Sequence, residues 1–161
     1  IATMMLHKWL RTHWHDLDVG TRTRLAAGCL IPAAVYHRAM RGRVLVRNEI
    51  LAALASVDAL VCPTNLHPPG RIEASRETVD SEDAMQQKVL LRRISTYPFS
   101  MANVPALALP MGFTTNGLPL SLQIAGKPYA EAMVLRIGHA YEQASPWVGR
   151  RPDLEALDSA G

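Results

Sequence analysis

The chain has 161 residues, 48% of them hydrophobic, and a formal net charge of +3 from 17 Lys and Arg against 14 Asp and Glu. That length suits one ordinary domain with a sizeable core, and 10 glycines and 11 prolines are too few for a repetitive or disordered chain. No stretch approaches about 18 apolar residues, which excludes a membrane-spanning helix; no secretory signal is visible; and the densest arginines, Arg38, Arg41, Arg43 and Arg47 with Arg22 and Arg24, have a spacing that more often marks the wet face or C-terminal end of a helix than a nucleic-acid stripe.

Residues Ile1 to Leu10 are mostly apolar and read as a short helix, followed by a polar connector over Arg11 to Gly20. Thr23 to Met40 reads as helix, interrupted by Pro32 and ended by Gly42. Asn48 is positioned to cap a second helix, whose apolar positions Ile50, Leu51, Leu54 and Val57 recur at helical spacing. Ala59 to Cys62 is short, apolar and stopped by Pro63, the pattern of a buried strand. A long polar loop runs from Pro63 to Asp83 and leads into a helix over Ala84 to Ser95, with Met85, Val89, Leu90 and Ile94 turned inward.

Pro98 to Asn103 has room for one or two helical turns. Ala106 to Met111 reads as a fully buried strand and Leu120 to Ile124 as its partner, because Asn116-Gly117 between them is a strong hairpin turn signal. Glu131 to Gln143 forms the last long helix, with Val134, Leu135 and Ile137 as its apolar bulk. Beyond Ser145 the chain mixes Pro, Gly and charge, anchored in part by Trp147. Strands alternating with helices predict an α/β fold, and the hairpin predicts a mixed sheet core covered by helices. The helices near Asn48 and Glu131 are expected to cover the sheet faces.

Three landmarks then stand in order. They are Val57-Asp58-Ala59-Leu60-Val61-Cys62-Pro63-Thr64, the run from Thr96 to Gly112, and Gly117-Leu118-Pro119 through Leu122-Gln123-Ile124-Ala125-Gly126 with Glu131 following. Together they resemble the amidase signature family over roughly residues 20 to 152. The middle landmark is similar to the family's Thr-x-x-Phe-Asn-x-x-Gly-x-Pro-Ala pattern, with Ser100 at the usual Asn position and Asn103 at the usual Gly. Asn is the residue best able to replace Gly should the backbone turn left-handed there.

The resemblance implies a partial amidase signature fold: an N-terminal helix and surface connector over 1–22, the C-terminal part of the amidase-like domain over 23–152, and a polar tail over 153–161. Members of that family hydrolyse amide bonds with a Ser, a cis-Ser and a Lys, both serines lying in a Gly/Ser-rich segment. No such segment is present here, and none of Lys8, Lys88 and Lys127 lies in a matching context. The resemblance therefore assigns this chain no catalytic residue. It implies the C-terminal portion of an amidase for non-peptide carbon–nitrogen bonds, contributing sheet core and pocket wall and inactive in isolation. The alternative is a structural or partner-binding α/β fragment. A first residue that is Ile1 and not Met fits a fragment.

Four residues are candidates for the pocket or for positioning its loops. Thr64 follows a strand end, where open α/β sheets place ligands, though a turn or capping role also fits. Thr96 and Asn103 bracket the middle landmark and are candidates for orienting its loop. Gln123 emerges from a strand, either to meet the nucleophile loop of the missing half or to satisfy a neighbouring backbone group. No cofactor is implied. His7, His13 and His15 with Asp16 and Asp18 raise a metal site, but zinc needs a third rigid ligand, and packing beside Trp9 and Trp14 suits them equally, so no metal is expected. Cys29 and Cys62 form neither a disulfide scaffold nor a Cys-x-x-Cys pair, which points to a reducing cytoplasm. A sheet cut in two leaves apolar surface and an open edge. The expected partner is thus the missing N-terminal half or another copy of the chain, with a small amide substrate only in the complete enzyme and no membrane or nucleic acid.

Overall fold

A computed structural model of the protein describes residues 7–70, 91, 93–147 and 149–150. Two compact units separate, Ile1–Arg43 and Val44–Gly161. In the first, helix α1 (His7–Thr12) leads through a 3₁₀ turn (Trp14–Asp16) to helix α2 (Val19–Cys29). Trp9 stacks on His13 with ring centroids 4.7 Å apart, and the Arg22 guanidinium lies 5.8 Å over the Trp14 ring. Asp18 caps α2, accepting from the Thr21 N–H at 3.0 Å. The Thr21 hydroxyl, with its N–H, holds the Asp18 carboxyl below its usual pKa of 3.8.

Pro32 separates α2 from helix α3 (Ala33–Ala53) as expected, because a proline ring suits the start of a helix and not its interior. The predicted stop at Gly42 and restart at Asn48 are overturned: α3 is one continuous helix of 21 residues. A single interior glycine costs only about 1 kcal/mol relative to alanine, too little to end a helix whose neighbours favour it. Asn48 lies inside α3 and caps nothing.

Among its described residues the second unit is built on three strands, β1 (Ala59–Pro63), β2 (Ala106–Phe113) and β3 (Pro119–Gly126), in the order β1-β3-β2. Both described pairings are antiparallel, with Val61 opposite Ile124 and Leu109 opposite Leu122. The expected α/β layering is present, and no parallel pair occurs among the described strands. The hairpin between β2 and β3 turns at Gly117, whose φ of +78° is the left-handed conformation an Asn-Gly turn calls for. Thr114 closes the loop: its N–H donates to the Leu118 carbonyl at 2.8 Å and its hydroxyl accepts from the Leu118 N–H at 3.0 Å. A register shift between Pro110 and Gly112 bends β2, and Phe113 beyond it meets Trp147 edge to face, with Arg150 over both rings.

Helix α5 (Glu131–Ala144) covers one sheet face. Leu109, Ile124 and Val134 form the buried cluster, flanked by Leu107, Leu122, Ile137 and Tyr141. Burying Ile124 contributes about 1.5–3 kcal/mol. Close packing of helix on sheet needs two glycines: a Cβ on Gly126 would stand 2.5 Å from Val134 Cγ2, and one on Gly138 would collide with the Leu107 side chain. A short helix α4 (Tyr97–Ala102) precedes β2, with Phe99 and Ala102 buried. The helix expected over 84–95 lies mostly outside the described residues, and the same holds for Met85, Val89 and Leu90 and for the tail beyond Arg150.

Candidate functional site

Side chains alternate across a strand. With Cys62 opposite Gln123 and Ala108 also opposite Gln123, the register puts Cys62, Thr64, Ser121, Gln123 and Ala108 on the sheet face away from the α5 cluster. Gln123 is the one buried polar residue among those described. Its side-chain Nε2 donates to Cys62 Sγ at 3.3 Å and to the Ser95 carbonyl. A buried amide without partners costs about 1–3 kcal/mol, so these bonds fix where the Ser95 backbone lies over the sheet.

Thr64 continues the ladder past the end of β1, its N–H donating to the Ser121 carbonyl at 2.9 Å. Its hydroxyl, like that of Ser95, is buried and makes no hydrogen bond. Thr96 begins α4: its hydroxyl donates to the Arg93 carbonyl at 3.3 Å, and its own carbonyl accepts from the Ser100 N–H at 3.2 Å. Asn103 ends α4 in the left-handed region, φ 53° and ψ 52°. The backbone does need a left-handed residue there, and Asn supplies it. Asn103 and Val104 then return their N–H groups to the Ser100 and Phe99 carbonyls, the double closure of a Schellman end.

The four expected positions therefore divide. Gln123 reaches the residue just before Thr96, and Thr96 and Asn103 bound the two ends of α4, while Thr64 bonds Ser121, two residues before Gln123 on the same strand. Sequence reasoning missed Cys62 and Ser95 as partners of Gln123, and it missed Arg47, whose Nη1 donates to the Ala102 carbonyl. Two residues of the histidine and aspartate set have other partners: His13 bonds Thr12 and stacks on Trp9, and Asp18 caps α2. Among the described residues no three His, Cys, Asp or Glu side chains gather into a metal-binding group, and no helix is long and apolar enough to cross a membrane.

The model of the Amidase family matches residues 19–135, well over half of the chain and all three strands. The chain belongs to the amidase family. It is 30% identical over 158 residues to a glutamyl-tRNA(Gln) amidotransferase subunit of Thermosynechococcus vestitus, covering 95% of this chain and 31% of that protein. Among solved structures it resembles an amidase at TM-score 0.72 and 28% identity, covering 89% of this chain and 32% of the other. The corresponding glutamyl-tRNA(Gln) amidotransferase subunit of Thermotoga maritima is similar at TM-score 0.59 and 27% identity, with 90% and 32% covered. The chain thus spans about a third of the length of the amidase relatives it matches.

Proposed function

We propose that this chain is the C-terminal portion of a cytoplasmic amidase acting on non-peptide carbon–nitrogen bonds. It supplies sheet core and pocket wall to a catalytic apparatus carried by the rest of the fold, and it is inactive in isolation. The observation that carries this reading is the coverage: about nine-tenths of the chain superimposes on an amidase, of which it makes up 32%. In the complete enzyme a serine outside this chain attacks the amide carbonyl, the tetrahedral oxyanion is held by backbone donors, and the amine departs with a proton.

Within that scheme β1, β2 and β3 are the supporting sheet. Thr64, Thr96, Asn103 and Gln123 belong to the wall on the face opposite α5. Gln123 ties the Ser95 backbone to this face, which supports placing the Thr96 segment there. The partner is that remaining portion, or a second copy that pairs the same surface.

A graft tests the reading. Residues 19–135 of this chain replace the matching segment of the Thermotoga maritima protein. A folded chimera that hydrolyses amide supports the assignment of sheet and wall; a folded chimera without turnover, beside an active unmodified control, overturns it.

A further inference from the structure

Helix α4 has only six residues, too few to persist on its own hydrogen bonds. It is held at both ends by side chains from two other elements. Before its start, Gln123 of β3 donates to the Ser95 carbonyl; at its end, Arg47 of α3 donates to the Ala102 carbonyl. The Phe99 and Ser100 carbonyls are already taken by Val104 and Asn103, and Arg47 supplies a donor to the carbonyl of Ala102, the last residue of the helix, beyond the reach of that closure. Its charge also suits the negative end of a helix, and a bond from an ionised donor is stronger than a neutral one.

We propose that Arg47 is a positioning residue for the Thr96–Asn103 wall, forming with Gln123 a two-point clamp that fixes the left-handed Asn103 turn. The inference rests on the reading of that segment as pocket wall, and it assigns a role to a residue 55 positions away in sequence. The clamp acts through backbone carbonyls, so it sets where Thr96 and Asn103 stand without engaging their side chains. A competing role for Arg47 is packing alone, through its aliphatic stem. The neutral, similarly long Met and the charged, donating Lys separate the two.

Amide hydrogen exchange on the purified chain is the test. Arg47→Met is expected to speed exchange at Asn103 and Val104 by about tenfold, with Ile124 in β3 unchanged, as for a local opening that has lost one charged hydrogen bond. Arg47→Lys is expected to restore most of the protection. Equal acceleration at Ile124 would make Arg47 a global stabiliser, and a Lys variant no better than Met would make it a packing residue; either overturns the clamp. Should the Met variant fail to fold, the wild-type guanidinium decides: slowed Nη–H exchange supports the clamp, and exchange at the free-arginine rate refutes it. Amide turnover is not the readout, so failure of the clamp and failure of the amidase reading appear in different experiments.

Discussion

Gln123 stands opposite Cys62 across the β1–β3 pair, and its side-chain amide reaches the Cys62 sulfur at 3.3 Å while also donating to the Ser95 carbonyl. Replacing it with Leu keeps the volume and removes both donations. The Ser95 carbonyl then loses its side-chain donor, which costs about 1–3 kcal/mol. Urea unfolding of Gln123→Leu is expected to show that loss. Gln123→Glu removes the donor as well and buries a charge, so it should be at least as destabilised.

Asn103 takes a left-handed backbone, where glycine pays no steric penalty. Asn103→Gly is therefore expected to keep or slightly raise the melting temperature. Asn103→Val places a β-branched residue there and should cost about 1–2 kcal/mol. Thermal unfolding of the two variants side by side gives the ordering.

Much of this could be read from the residues. Short apolar runs bounded by Pro63 and by Asn116-Gly117 marked the strands, and the observed strands extend past them because a ladder continues through residues that need not be apolar. Asn103, standing where the resemblance expects Gly, was compatible in the sequence with either backbone conformation, and the structure takes the left-handed one. The continuity of α3 was not, because Gly42 and Asn48 look like punctuation while costing too little to break a helix. The partners of Gln123 and Arg47 were hidden for another reason. They are the carbonyls of Ser95 and Ala102, and a backbone acceptor leaves no mark in a sequence.

Gly126 admits Val134 so closely that an added Cβ would stand 2.5 Å from its Cγ2. Gly126→Ala is expected to lose about 1–3 kcal/mol by overpacking. Val134→Ala removes the methyl that the new Cβ meets, so the double variant should lose less than the sum of the singles, by about 1 kcal/mol. Additive losses in denaturant unfolding would show that helix and sheet separate freely.

At the N-terminus of α2, Thr21 holds the Asp18 carboxyl below its usual pKa of 3.8, through its hydroxyl and then its N–H. With the folded value lowered, the unfolded state binds more protons in that range and stability rises with pH. The cap is fully present above the unfolded value and is lost as pH falls through the folded one. The Thr21 amide signal should titrate with Asp18 in that acid window. In Asp18→Asn, which caps without titrating, it should not.

The central claim is that the chain is one portion of an amidase and does not hydrolyse amides without the rest. Hydrolysis of a panel of small amides by the purified chain, beside a full-length amidase relative, tests it most directly. The account predicts turnover by the relative and none above buffer by the chain. Turnover that co-purifies with the chain and disappears on substitution of one of its own residues would contradict it.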